Sequence, residues 1–139
     1  MLATLSIGSN LGDREKNIGE AVALLSEKLG PVVDMTKVIE TEAVGFDGNR
    51  FLNALVQFDA GLSPEELLLV CKQTERRLGR TDKPEYDGGG NRIYHDRTMD
   101  VDILFYGKLE MDTPELTIPH PQVKTRPFIK ELLLLLHDF

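Results

Sequence analysis

Arg97-Thr98-Met99-Asp100-Val101-Asp102-Ile103-Leu104-Phe105 reads as a single β-strand. Met99, Val101, Ile103 and Phe105 alternate with Thr98, Asp100, Asp102 and Leu104, and successive strand residues point to opposite faces. The spacing predicts that the apolar set faces a core. Asp100 and Asp102 then point together to the other side, one pleat repeat apart. Two carboxylates this close raise each other's pKa unless a positive group lies between them. Hard oxygen ligands on a rigid strand suit Mg²⁺, which binds through one or two carboxylates plus substrate phosphates. Arg97, at the strand's start, could hold a phosphate oxygen with its guanidinium fork. The same pattern also describes a solvated strand face that carries two acids, and D-x-D alone does not separate the two readings.

A chain of 139 residues fits one domain with a real core. Its 41% hydrophobic and 28% charged residues are ordinary for a globular protein, and a net charge of −7 argues against a general nucleic-acid surface. The charge is uneven. Residues 116–130 carry Lys124, Arg126 and Lys130 with no acid, and residues 72–97 carry seven Lys or Arg against five Asp or Glu. Local basic segments in an acidic chain suit a small anion, or are ordinary surface charge. With Cys71 as its one cysteine, the chain has no internal disulfide framework and no cysteine-cluster metal site. A reducing compartment, the cytoplasm, is expected. The first ten residues, MLATLSIGSN, lack a basic segment followed by a long apolar one, so no signal peptide is expected. The longest apolar run, residues 132–136, is too short to span a bilayer.

Working outward from the paired aspartates gives the rest of the fold. Residues 2–7 alternate as a short buried strand, broken by Gly8-Ser9-Asn10-Leu11-Gly12. Asp13 can cap a helix that runs to Leu29, with Ile18, Ala21, Val22, Leu25 and Leu29 on one face and Gly30-Pro31 as its stop. Residues 32–41 read as a second strand and 42–50 as a loop. In residues 51–60, Leu52, Ala54, Val56 and Phe58 make one strand face, and Phe51, Asn53, Leu55 and Gln57 the other. Phe51 and Asn53 could stack on and hydrogen-bond a flat heterocycle, or be edge core and a solvated amide. Ser63-Pro64-Glu65-Glu66 is a capping box with proline at the first helical position. It opens a helix to about Leu78, with Leu67, Leu68, Cys71 and Leu78 inward and Cys71 read as a small core residue. Residues 80–94, with Pro84 and three glycines, form a long loop that is either a functional lid or a surface insertion. After the aspartate strand come a turn at Gly107-Lys108, a short strand and loop over 109–117, and a final helix from Thr125-Arg126-Pro127 to near His137. The order β-α-β-β-α-β predicts an α+β, ferredoxin-like sandwich, an antiparallel sheet with two helices on one side, plus a C-terminal hairpin and helix extension. It is one domain over residues 1–139, and the fold alone decides no function.

Five segments in order resemble the 6-hydroxymethyl-7,8-dihydropterin pyrophosphokinase family. They are Ile7-Gly8-Ser9-Asn10-Leu11-Gly12; Glu40-Thr41-Glu42-Ala43-Val44-Gly45 with Phe51-Leu52-Asn53-Ala54; Leu78-Gly79-Arg80; Arg97 through Leu104; and Ile118-Pro119-His120-Pro121 with Arg126-Pro127-Phe128. The resemblance implies transfer of the β,γ-diphosphate of ATP to the pterin hydroxymethyl group, with AMP leaving, in folate biosynthesis. It implies two Mg²⁺ held by Asp100 and Asp102. It implies catalytic phosphate contacts from Arg80 and Arg97, and ATP contacts from Arg80, Arg97, Ile103, Thr117, His120 and Arg126. The pterin would lie between Phe51 and Phe128, read by Asn53, with Thr41 and Val44 completing the pocket. The lid at about 80–94 would close over bound ATP and exclude water. A monomer is expected, without nucleic acid or membrane, with docking to a neighbouring folate enzyme left open.

The chain also departs from the family pattern. Ile93-Tyr94-His95-Asp96 precedes Arg97 where a Gly-Pro type run is usual, Ala43 stands where proline is common, the lid is long, and no extra C-terminal segment follows the last helix. It reads as a short, lid-variant member. Two other readings stand beside the enzyme. One is a nucleotide- or pterin-binding regulatory domain silenced through His95-Asp96. The other is a ferredoxin-like subunit that oligomerises through exposed sheet.

Overall fold

The computed structural model describes residues 1–42, 49–79, 88–90 and 98–137, together with the backbone of two short strands between them, Glu85–Tyr86 and Arg92–Ile93. In chain order the elements are β1 (Leu2–Ser9), α1 (Arg14–Leu29), β2 (Val32–Met35), β3 (Ile39–Thr41), β4 (Phe51–Asp59), α2 (Pro64–Arg77), β5 (Glu85–Tyr86), β6 (Arg92–Ile93), β7 (Asp100–Tyr106), β8 (Met111–Asp112), β9 (Thr117–Ile118), a 3-10 turn (Pro121–Val123) and α3 (Pro127–Leu133). It is an α+β protein with an antiparallel sheet. β1 lies between β4 and β7, and β4 carries both β2 and β3 along its outer side.

Local chemistry accounts for most boundaries. Asp13 accepts from the Lys16 N–H and starts α1, and Gly30, at φ 99°, ends it. Ser63 and Glu66 close the capping box of α2. The expected strand over 32–41 is two strands instead. Thr36 breaks it: its N–H donates to the Leu55 carbonyl, and its hydroxyl oxygen accepts from the Leu55 N–H. A side chain thus replaces one rung of the ladder.

Alternation sorts the sheet into two faces. Ala3, Leu5 and Ile7 of β1, Ala54, Val56 and Phe58 of β4, and Val101 and Ile103 of β7 pack with Ile18, Ala21 and Leu25 of α1 and Leu67 and Cys71 of α2. The opposite face carries a second cluster, Leu55 and Leu104 beneath Ile129, Leu132, Leu133 and Leu136. α3 therefore covers the face that α1 and α2 leave. Phe105 does not join the first core as its alternation predicts. The register shifts by one at Leu104, since Leu5 opposes Ile103 and Thr4 opposes Phe105. Leu104 and Phe105 both pack on the second cluster, and Tyr106 returns to the first.

The final helix ends at Leu133, earlier than the predicted His137. Residues 111–118 form the hairpin β8–β9, and β5 pairs with β6 inside the expected loop at 80–94. The remainder of that loop, apart from residues 88–90, lies outside the described residues, as do His95, Asp96 and Ala43. Among the described residues no helix is long and apolar enough to cross a membrane.

Candidate active site

The candidate site lies where the α3 face of the sheet turns polar. Asp100 opposes Gly8 and Asp102 opposes Ser6 across β1–β7, and on the other side of β1 Gly8 opposes Asn53 and Ser6 opposes Leu55. Asn53, Gly8 and Asp100 thus form one row across three strands. Leu55, Ser6 and Asp102 form the next. Asp100 and Asp102 are half-buried on one face, while Val101 and Ile103 point into the helix-side core.

His120 approaches this pair from the segment after β9. Its N–H donates to the Leu104 carbonyl, which pins that segment to β7. Its Nδ1 accepts from the Gln122 N–H at 3.1 Å, and its Nε2 lies 3.8 Å from Asp102 Oδ1. A ring whose Nδ1 accepts carries its proton on Nε2 when neutral, so the N–H faces the carboxylates. Burial pushes the His120 pKa below the usual histidine value. The Asp100 charge opposes that shift and Arg126 adds to it.

Asn53 is buried, against its reading as a solvated amide. Its Nδ2 donates to Thr41 Oγ1 at 2.6 Å, and Thr41 opposes Phe51 in the β3–β4 register. Gly8 makes this possible. A Cβ there would sit 2.5 Å from Asn53 Oδ1 and 3.5 Å from Phe51 Cδ1, so any side chain at position 8 would displace the amide. Phe51 is half-buried beside it. Arg126 caps the start of α3, and its guanidinium carbon lies 5.7 Å above the Phe128 ring. Phe128 packs against the second cluster, on the same side of the sheet as Asn53 and Asp102.

Thr117 is half-buried in the β8–β9 hairpin, its hydroxyl donating to Asp112 Oδ1 at 3.1 Å. The Ile103 side chain lies in the helix-side core, which leaves its main chain as the part able to meet a ligand. Val44, Arg80 and Arg97 lie outside the described residues. Burial raises the Cys71 thiol pKa far above its usual range, with Glu75 and Asp102 adding to the shift, as suits a core residue.

Three contributors have no role assigned from the sequence. Gly8 is one. Asn10 and Arg14 are the second: Asn10 Nδ2 and Arg14 Nη1, each at 2.9 Å, donate to the Asn49 and Arg50 carbonyls. Arg14 and Arg50 also ion-pair with Glu40 and hold its carboxyl below the usual range. The turn after β1 is thereby fastened to the chain entering β4. The third is Glu75, buried in α2. It falls four residues after Cys71 on the inward row, so helical spacing alone could have flagged it.

As for a metal, Asp100 and Asp102 supply hard oxygens on one face. Among the described residues no group of three or more His, Cys, Asp or Glu could hold an ion. A two-carboxylate site fits Mg²⁺ that completes its shell from phosphates and water, and does not fit an all-protein cage.

A family model described as 7,8-dihydro-6-hydroxymethylpterin-pyrophosphokinase (HPPK) matches residues 4–138. The chain is similar to the 2-amino-4-hydroxy-6-hydroxymethyldihydropteridine pyrophosphokinase of Porphyromonas gingivalis, 40% identical over 128 residues that cover 91% of this chain and 84% of that one. Its likeness to the protein of the same name from Bacillus subtilis is 36% over 130 residues, covering 92% and 73%. It is also 39% identical over 131 residues to a mitochondrial folate synthesis bifunctional protein of Pisum sativum, covering 94% of this chain and 24% of the pea protein.

Proposed function

Because the chain belongs to the 7,8-dihydro-6-hydroxymethylpterin-pyrophosphokinase family, we infer that its polar sheet face transfers the β,γ-diphosphate of ATP to the hydroxymethyl group of 6-hydroxymethyl-7,8-dihydropterin. AMP is the leaving group, and the product serves folate biosynthesis. The observation that carries this reading is the pair of rows across β4, β1 and β7. The Asn53 amide lies at one end and two carboxylates at the other, with one strand between them.

The residues divide the work. Phe51 and Phe128 stack on the pterin, and Asn53 reads its polar edge with Thr41 and Val44 completing the pocket. The Thr41 hydroxyl holds the Asn53 amide in one orientation, with Oδ1 turned toward Gly8. The Nε2 proton of His120 and the guanidinium groups of Arg80, Arg97 and Arg126 bind phosphate oxygens, and Thr117 and the Ile103 main chain adjoin the nucleotide. The pterin alcohol attacks the β-phosphorus, the bond to the α-phosphate oxygen breaks, and AMP carries that oxygen away. Such transfers depend on in-line placement and charge neutralisation more than on covalent catalysis by the protein. Asp100 and Asp102 would hold Mg²⁺, two ions in our reading, which supplies charge neutralisation on the triphosphate and lowers the hydroxyl's pKa. Exclusion of water would fall to the segment over 80–94, as the resemblance implies.

We read the sheet order, with α1 and α2 on one face, as the ferredoxin-like βαββαβ arrangement, extended by β8–β9 and α3. A reducing compartment such as the cytoplasm suits a chain whose one cysteine is free and buried, and we read the chain as a monomer. The test is AMP release from ATP, Mg²⁺ and the reduced pterin alcohol. Turnover by the wild type and a loss of about a hundredfold in Asp102→Ala, roughly 2.7 kcal/mol, are expected. A folded wild type that binds the pterin and releases no AMP would leave the silenced, ligand-binding reading in its place.

A further inference from the structure

Glu75 has no part in that division of labour, yet it lies directly behind the paired aspartates. It is 2% exposed, at the inner side of the last turns of α2. Inward helix positions are ordinarily apolar, as Leu67 and Cys71 are here, because a carboxyl group loses hydration on burial. Glu75 Oε2 accepts a hydrogen bond from the Val101 N–H at 2.9 Å. Val101 is the residue between Asp100 and Asp102. Among the described residues β7 is also the last strand of the sheet, paired there with β1 alone. The segment has weak points on both sides. Leu104, two residues beyond Asp102, is the bulged position, and the hydroxyl of Thr98, two residues before Asp100, is buried without a hydrogen-bond partner among the described residues.

We propose that Glu75 is a positioning residue for the diphosphoryl transfer. By holding the peptide N–H between the two aspartates, it sets the height and pitch at which an edge strand presents both carboxylates. The proposal rests on the reading that Asp100 and Asp102 carry the metal. Residues that orient metal ligands are commonly as sensitive to substitution as their place in the geometry demands, and small changes in reach suffice to misplace a ligand.

The test varies reach and charge separately. Glu75→Gln keeps an acceptor at the same reach without the charge, and Glu75→Asp keeps the charge on a side chain one methylene shorter. Mn²⁺ is titrated in the presence of a non-hydrolysable ATP analogue and followed by electron paramagnetic resonance of the free ion. AMP release is measured alongside, and pterin affinity serves as the internal control. Glu75→Gln should stay within about threefold of wild type in both readouts, while Glu75→Asp should lose about tenfold or more, with pterin affinity kept within about twofold. A wild-type-like Glu75→Asp overturns the proposal. So does a Glu75→Gln that falls as far as Glu75→Asp, or a Glu75→Asp that loses pterin affinity equally. A wild type that releases no AMP defeats the assigned reaction instead, and the Mn²⁺ titration then judges Glu75 by itself.

Discussion

The two faces of one sheet are built from alternate residues of the same strands, and they have different fates. On the α1–α2 face every inward position of β1, β4 and β7 named above is apolar and buried, from Ala3 to Ile103. On the α3 face the leucines give way to Thr4, Ser6, Asn53, Gln57, Asp100 and Asp102. Thr4, Ser6, Asn53 and Gln57 are buried, and Gln57 donates to the Thr4 hydroxyl at 2.9 Å. Polar groups at such positions reduce what burial could contribute to stability. The first face holds the fold together, and the second gives up part of that stabilisation where we place the site.

Substitutions on the first face should act on stability and leave chemistry alone. Phe58, fully buried, is the sharpest case: Phe58→Ala should cost about 3–5 kcal/mol in chemical denaturation, with substrate affinities of the folded fraction unchanged. Altered pterin affinity in that fraction would blur the division. On the second face the order reverses. Gly8→Ala should lower pterin affinity about tenfold, or roughly 1.4 kcal/mol, by pushing Asn53 off Thr41, while ATP affinity holds. Calorimetric titration with the pterin checks this, and unchanged pterin affinity would mean that the amide's orientation is immaterial.

His120→Ala should raise the KM for ATP about threefold to tenfold, the range of one lost hydrogen bond to phosphate, with pterin affinity intact. Steady-state kinetics with each substrate varied in turn separates the two. The smallest effect belongs off both faces. Asp34 Oδ2 meets His137 Nδ1 at 2.9 Å, and that hydrogen bond is the main reason the Asp34 carboxyl lies below its usual pKa. A depressed carboxylate contributes its stabilisation above the unfolded value near 3.8 and loses it as pH falls through the folded value. Asp34→Asn should shift Tm slightly at neutral pH, and the difference from wild type should vanish in acid. A difference that persisted in acid would need another cause.

Legibility in the sequence followed the same divide. The apolar face was readable because period 2 and period 3.6 patterns with capping residues mark it: α1, α2, β1 and β4 lie within a residue or two of their expected bounds. Phe105 was misassigned because a bulge leaves no signature in an alternating string, and the strand at 32–41 was overextended because Thr36 looks like any β-former. Asp100 and Asp102 were legible as a pair, and Phe51 with Asn53 as neighbours. The burial of Asn53 was not, since it depends on Gly8 one strand away. Nor was the approach of His120, which depends on how the chain returns after β9. Glu75 stood in an inward helical position, but a single acid there gives no hint of the peptide it holds.

The central claim is that the polar half of the second face consists of two adjoining subsites, one anchored on β4 and one on β7. The most direct measurement crosses two variants with two ligands. Asn53→Ala and Asp102→Asn are each titrated with the reduced pterin and, separately, with Mn²⁺ and a non-hydrolysable ATP analogue. The account predicts that Asn53→Ala loses about tenfold or more in pterin affinity and keeps the metal–nucleotide, and that Asp102→Asn does the reverse. If either variant weakened both ligands equally, or neither, the two rows across the sheet would not be two subsites.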